Sequence, residues 1–262
     1  MAELLRAGRR RVADVWIADG IDSAPIVDTI LQEADRRQIP VRRVPRHRLD
    51  AEAATTAPQG VLAHAEPLPE ADLDDLCQDT GAGGQPPFLL AIDGVTDPGN
   101  VGALLRSAEG AGATGVILPK HRASRVTPAV AKAAAGAIEH LPIAMVPGMP
   151  SALARAKDAG CWVVGLTGDA GSSLFELSLA DQPLVVVVGA EGEGLSRLVR
   201  DRCDVLAAIP LAGALPSLNV SAAGALALFE VARKRHTSSS PPRRSPAGGE
   251  NPPTIDTHGG RS

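Results

Sequence analysis

Between residues 88 and 235, short unbroken apolar runs alternate with stretches whose apolar positions recur every three or four residues. The runs PFLLAID, GVILP at 115–119, HLPIAMV, CWVVGLTG, PLVVVVG and DVLAAIP are apolar throughout. That pattern predicts strands buried on both faces, as in a parallel sheet with helices above and below. The periodic stretches predict helices at Asn100–Gly110, Pro128–Ala137, Pro150–Ala159 and LSRLVRDRC, with a last one closing the unit. Strand and helix in regular alternation define an α/β fold.

The N-terminal part has shorter elements. VADVWIA at 12–18, VRRV at 41–44 and GVLAHAE at 60–66 read as strands. Ser23–Gln38 reads as a helix capped by Ser23, with Ile26, Val27, Ile30 and Leu31 on one face, and Leu49–Ala57 as a short helix. Residues 1–78 therefore form a small α/β domain. The Gly- and Pro-rich DTGAGGQPP at 79–87 has no periodicity and is read as the linker. Residues 236–262 are rich in Ser, Pro, Gly and Arg and are expected to be a disordered tail.

Composition changes this picture little. Apolar residues make up 44 % of the 262, and no run approaches the ~18 a membrane helix needs. The N-terminus lacks a signal-peptide core, so the reading is cytoplasmic and without a membrane partner. Cys77, Cys161 and Cys203 are far apart and form no CxxC, which points to reduced thiols rather than a disulfide framework or zinc site. The six histidines show no ligand spacing, and no metal is expected. Net charge is −4, yet Arg6, Arg9, Arg10 and Arg11, then Arg36, Arg37, Arg42, Arg43, Arg46 and Arg48, crowd the small domain. Of 26 basic residues only four are lysine, and arginine is the better phosphate binder. RNA held through phosphate is one reading of these runs; solvated surface is the other.

Chemistry has to come from three loops that follow apolar strands: DGVTDPGNVGALLRSAEGAG at 93–112, GAEGEG at 189–194, and IPLAGALPSLN at 209–219. Ligands in open α/β sheets bind at the carboxyl ends of the strands, where such loops gather. The polar candidates are Asn100, Arg106, Glu191, Ser217 and Asn219. Each also has a plain role open to it: Ser217 and Asn219 as helix caps, Arg106 as a surface residue, Glu191 as a loop carboxylate. Gly110, Gly112 and Gly115 spell GxGxxG, but between a helix and the next strand, which is the wrong context for a dinucleotide site. No P-loop and no GxSxG elbow is present.

Taken together and in order, the three motifs resemble those of the SpoU (TrmH-like) ribose 2′-O-methyltransferases of the SPOUT superfamily. The similarity is greatest to the bacterial 23S rRNA guanosine-2′-O-methyltransferase branch. The small domain resembles that branch's substrate-binding domain, with two departures: the chain starts inside the first helix, so an edge strand is expected to be missing, and Pro58-Gln59-Gly60 stands where relatives often have HQG. The resemblance implies a SPOUT-type parallel sheet with a deep C-terminal trefoil knot, S-adenosyl-L-methionine as cofactor, RNA as substrate and a homodimer. It implies catalytic roles for Asn100, Arg106, Glu191, Ser217 and Asn219. It places the cofactor among Thr167, Gly168, Gly189, Ala190, Glu191, Gly192, Ile209, Leu211 and Leu218. Whether Arg106 is a base or a phosphate clamp stays open, as do a tRNA substrate and a non-catalytic assembly role. A Rossmann oxidoreductase is the weakest alternative.

Overall fold

A computed structural model describes residues 1–22, 24–53, 58–78, 84–120 and 126–239. The small unit contains β1 (Val12–Ala18), β2 (Val41–Val44) and β3 (Val61–Ala65) in the order β2-β1-β3, parallel on one side and antiparallel on the other. α1 (Ala2–Ala7) and α2 (Pro25–Arg36) cover one face, burying Leu5, Val15, Ile17, Val27, Ile30 and Ala34 together. α3 (Arg46–Glu52) packs Leu49 against the other face with Val44 and Ala18. The helix expected from Ser23 starts at Pro25, whose fixed φ suits a first helical position; Ser23 lies outside the described residues. Ile26 is expected on the inner face, yet it is exposed; the buried face of α2 is carried by Val27, Ile30 and Ala34. α3 starts three residues before the expected Leu49, and residues 54–57 lie outside the described ones.

The large unit is a seven-stranded sheet in which every recorded pairing is parallel. Its strands are β4 (Phe88–Ile92), β5 (Gly115–Pro119), β6 (Ile143–Val146), β7 (Trp162–Leu166), β8 (Ser172–Ser173), β9 (Leu184–Val188) and β10 (Val205–Ala208), ordered β6-β5-β4-β9-β7-β10-β8. β4, β5 and β9 are buried along their whole length. Successive side chains point to opposite faces, so Phe88, Leu90 and Ile92 enter one core while Leu89 and Ala91 enter the other. The first core lies under α5 (Pro98–Gly110), α6 (Pro128–Ala133) and α9 (Val220–Ser239). The second lies under α4 (Leu73–Gln78) and α7 (Met149–Asp158), with α8 (Arg197–Arg200) contributing Val199. The two-residue edge strand β8 has no sequence signal.

Three further boundaries differ from the sequence reading. Residues up to 78 were assigned to the small domain, but Leu73, Leu76 and Cys77 of α4 are buried in the large unit's second core. An amphipathic turn buries its apolar side wherever an apolar surface is open, and the face of β4 and β5 offers one. The main chain before it already joins the large sheet, with Ala71 N–H donating to Ile143 O at 2.9 Å. At the other end, α9 continues four residues past Arg235. Residues 79–83 of the expected linker and 240–262 of the expected tail lie outside the described residues. Pro128–Ala137, expected as one helix, ends as α-helix at Ala133, where Ala135 and Gly136 take positive φ.

Candidate active site

The three motif loops emerge at the carboxyl ends of β4, β9 and β10. Asp97 caps α5, its Oδ1 accepting from Asn100 N–H at 2.7 Å, and Pro98 occupies the first helical position. Asn100 thus sits in the first turn with its side chain toward the β9 loop. That loop is a tight ring closed by Ala190 N–H to Gly194 O (3.0 Å) and Gly194 N–H to Ala190 O (2.9 Å). A Cβ at Gly189 would collide with the Gly194 backbone, and Gly192 and Gly194 take φ of 79° and 68°, so the ring closes only with glycine at these places. It presents Glu191.

α9 reaches the same point because it lies close on α5. A Cβ at Gly224 would run into Leu104, so this glycine permits the approach of the two helices. Asn219 caps α9: its Oδ1 accepts from Ser221 N–H (2.9 Å), Ser221 Oγ–H (2.6 Å) and Ala222 N–H (3.3 Å). Its amide then points outward and donates to Glu191 Oε1 at 2.7 Å and to Asn100 Oδ1 at 3.1 Å. Asn100 Nδ2 donates to the same Glu191 Oε1 at 3.1 Å. One carboxylate and two amides from three separate loops form a closed triangle. The capping role expected of Asn219 is real, and it leaves the amide half of the side chain free for this triangle.

Arg106 and Ser217 stand apart from the triangle. Six residues turn an α-helix through about 600°, so Arg106 is on a different side of α5 from Asn100. Both Arg106 and Ser217 are exposed and make no hydrogen bond among the described residues. The remaining candidates line the same edge. Ala190 comes within 3.4 Å of where a Cβ on Gly94 would lie. Gly168 faces Pro216 O, 3.9 Å from its own such position. Thr167 N–H donates to Ala207 O at 3.1 Å. Ile209 packs partly against the first core, while Leu211 and Leu218 are exposed.

Several residues here were not expected from sequence. Asp93, at the end of β4, is half-buried; burial pushes its carboxyl above the usual range despite Ser196 Oγ–H donating at 3.5 Å. The Asp-Pro pair at 97–98 is a legible helix start. Arg235 carries no such signal. It is buried, with its guanidinium over Phe88, and donates to the carbonyls of Ala180 (2.7 Å), Pro86 (2.6 Å), Pro87 (3.1 Å) and Gln182 (2.9 Å). Lys234 donates to Phe175 O and Leu177 O. These cations tie the end of α9 to the segments that lead into β4 and β9.

The small unit's arginines are largely engaged. Arg6 pairs with Glu3, Arg36 with Glu33, Arg42 with Asp14 and Arg46 with Asp50; Arg37 donates to Arg6 O; and Arg48 lies over Trp16. Arg10 bridges the units, donating to Glu66 O and to both oxygens of buried Glu139. A cavity of about 1140 Å³ lies between the units among His64, Gln59, Lys120, Thr127 and Ile143, and no residue of the triangle lines it. The triangle lies on the exposed surface, so the size of a cavity is no guide to it. Among the described residues no His, Cys, Asp and Glu cluster is arranged to hold a metal, and no helix is long and apolar enough to cross a membrane.

A parallel α/β sheet carrying an Asn–Glu–Asn triangle at the carboxyl ends of β4, β9 and β10 defines a class of enzyme-like sites built from loops on one sheet edge. The chain belongs to the SpoU rRNA Methylase family, which it matches over residues 87–229; residues 2–71 match the family described as RNA 2'-O ribose methyltransferase substrate binding. It is 40 % identical over 235 residues to the 23S rRNA (guanosine-2'-O-)-methyltransferase RlmB of Pseudomonas putida, covering 88 % of this chain and 92 % of that protein. An uncharacterized tRNA/rRNA methyltransferase of Mycolicibacterium vanbaalenii is 39 % identical over 90 % of this chain and 74 % of its own length. The fold matches the crystal structure of the SpoU methyltransferase AviRb from Streptomyces viridochromogenes in complex with AdoMet, with a TM-score of 0.73 at 24 % identity over 90 % of this chain and 87 % of that one.

Proposed function

We propose that this protein methylates the 2′-hydroxyl of a guanosine ribose in 23S rRNA, with S-adenosyl-L-methionine as methyl donor. The observation that carries the reading is the Asn100–Glu191–Asn219 triangle, which joins the three family motifs at one point. The donor supplies an activated methyl on a sulfonium and needs no metal. The chain's residues suit it: the glycine ring at 189–194 and the open positions at Gly192 and Gly213 leave main chain accessible to an adenosine. Thr167, Gly168, Gly189, Ala190, Glu191, Gly192, Ile209, Leu211 and Leu218 form its cradle. The triangle fixes the loops so that the ribose hydroxyl meets the methyl in line. Arg106 holds the neighbouring phosphate and stabilises the oxygen as the methyl bonds to it and its proton passes to solvent water at this exposed site; a guanidinium is poorly suited to be the base itself.

Arg106 makes no hydrogen bond among the described residues and lies exposed on α5, which packs on α9, and Leu226 and Phe229 of α9 are exposed. Leu211, Leu215 and Leu218 are exposed as well, Leu215 by 77 %. Five large apolar side chains exposed between residues 211 and 229 suit an interface. The protein is therefore read as a homodimer, whose apposed copies complete the site around Arg106 and Ser217. The C-terminal segment is read as a deep trefoil knot, the small unit as the RNA-binding domain joined by a linker, and the enzyme as cytoplasmic.

The test is ribose-methylation mapping of all stable RNA from a strain lacking the gene. Loss of one 2′-O-methylguanosine from 23S rRNA, restored by the wild-type gene, is expected. Loss from tRNA alone would move the substrate to tRNA, and unchanged RNA would refute the activity.

A further inference from the structure

We propose that Arg200 is a positioning residue for the cofactor loop: from α8 it clamps Thr167 and Asp169 and so holds Gly168 at its place in the cofactor cleft. The inference rests on the cofactor reading above. β7 ends at Leu166, and Thr167 N–H still donates to Ala207 O of β10. Between Thr167 and β8, which rejoins β10 at Ser172, the chain leaves the sheet. There Arg200 Nη1 donates to Thr167 Oγ1 (3.1 Å) and to Asp169 Oδ1 (3.0 Å), and Nη2 donates to Asp169 Oδ2 (3.1 Å). The Thr167 hydroxyl spends its own proton on Asp169. Both neighbours of Gly168 are thereby tied to one planar fork.

The fork itself has a firm base. A Cβ at Gly165 would press on Cys203 Sγ and Leu195 at 2.7 Å, so the segment carrying Arg200 lies flat on β7. Lys157 secures its far end, pairing with Asp204 at 2.6 Å and reaching Arg202 O at 3.4 Å. Arg200 holds the Asp169 carboxyl down to about 2, so the pair stays charged across the working range. The Arg200 side chain is 33 % and that of Asp169 65 % exposed. A pair this exposed adds little to global stability. Three parallel bonds to two residues of one short loop do something else: they narrow the loop's conformations opposite Pro216.

The experiment is calorimetric titration of the full-length protein with S-adenosylhomocysteine, alongside methylation kinetics and thermal melts. If the unclamped loop occupies its binding arrangement about a tenth of the time, affinity falls about tenfold. Arg200→Ala is expected to show that fall, with a matching rise in KM for S-adenosylmethionine and kcat within about twofold. Its melting temperature should stay within about 2 °C. Arg200→Lys, which lacks the fork, should fall between, and the exchange Arg200→Asp with Asp169→Arg should recover part of the loss. Unchanged affinity in Arg200→Ala overturns the proposal. So does an affinity loss that the exchange deepens or that tracks a lowered melting temperature. Wild-type protein that fails to bind S-adenosylhomocysteine would instead overturn the cofactor reading on which this one stands.

Discussion

Asn219 is the residue at which capping and chemistry can be separated. Its Oδ1 takes three hydrogen bonds from the first turn of α9, and its Nδ2 gives two to the triangle. Asn219→Asp keeps the acceptor and places negative charge at a helix N-terminus, worth about 0.3–1 kcal/mol in the helix's favour. It also replaces a donor lying 2.7 Å from Glu191 Oε1 with a second carboxylate. Two like charges about 4 Å apart near a protein surface repel by up to about 4 kcal/mol, so the side chains separate and the triangle opens. Asn219→Ala loses the cap as well, at about 1 kcal/mol. The expected pattern is therefore a crossed one. Asn219→Asp should melt close to wild type yet lose about 2–3 kcal/mol of transition-state stabilisation, roughly 30- to 150-fold in kcat/KM. Asn219→Ala should lose both stability and activity. Lowering the pH should restore part of the Asp variant's rate, because protonating the introduced carboxyl removes the repulsion. Urea unfolding and methyl-transfer assays on the same preparations decide the matter. An Asp variant active within about threefold of wild type would show that the triangle has no part in catalysis.

Arg106→Ala should retain S-adenosylhomocysteine binding while losing about 3–5 kcal/mol in turnover, with poor rescue by lysine; near-normal single-turnover methylation would return Arg106 to a surface role. Arg235→Ala leaves four carbonyls without their donor and should cost about 3 kcal/mol or more in urea unfolding; a loss below about 1 kcal/mol would refute the bracket described for it. The Asp14 hydrogen bond, helped by Glu52, raises the His64 pKa above its ordinary value. A group with a raised folded-state pKa stabilises fully below its unfolded value, near 6.5, and that contribution fades as pH rises through the folded one. Melts at increasing pH from about 6 to 9 should thus decline more in wild type than in His64→Gln, and parallel curves would exclude the interaction.

The order and type of the large unit's elements were legible in the sequence because buried parallel strands are apolar on both faces and stand out as runs. LVVVV and FLLAI need no tertiary information to be read as strands. The motif residues were legible as candidates because Asn, Glu and Ser stood on loops after such strands, where ligands bind in open α/β sheets. Sequence spacing also exposed Gly110, Gly112 and Gly115 as a false dinucleotide motif, and the structure puts Gly110 at the end of α5 and Gly115 at the start of β5. What the sequence did not determine was which candidates meet. Asn100 and Asn219 are 119 positions apart, and they touch only because Gly224 lets α9 settle on Leu104. The placement of α4 in the large unit's core, the burial of Arg235 and the Arg200 clamp were equally invisible. Each depends on a surface that exists only after distant strands have paired. Local periodicity reports which face of an element is apolar; it carries no record of what that face, or a long cation at its end, will find when the sheet closes.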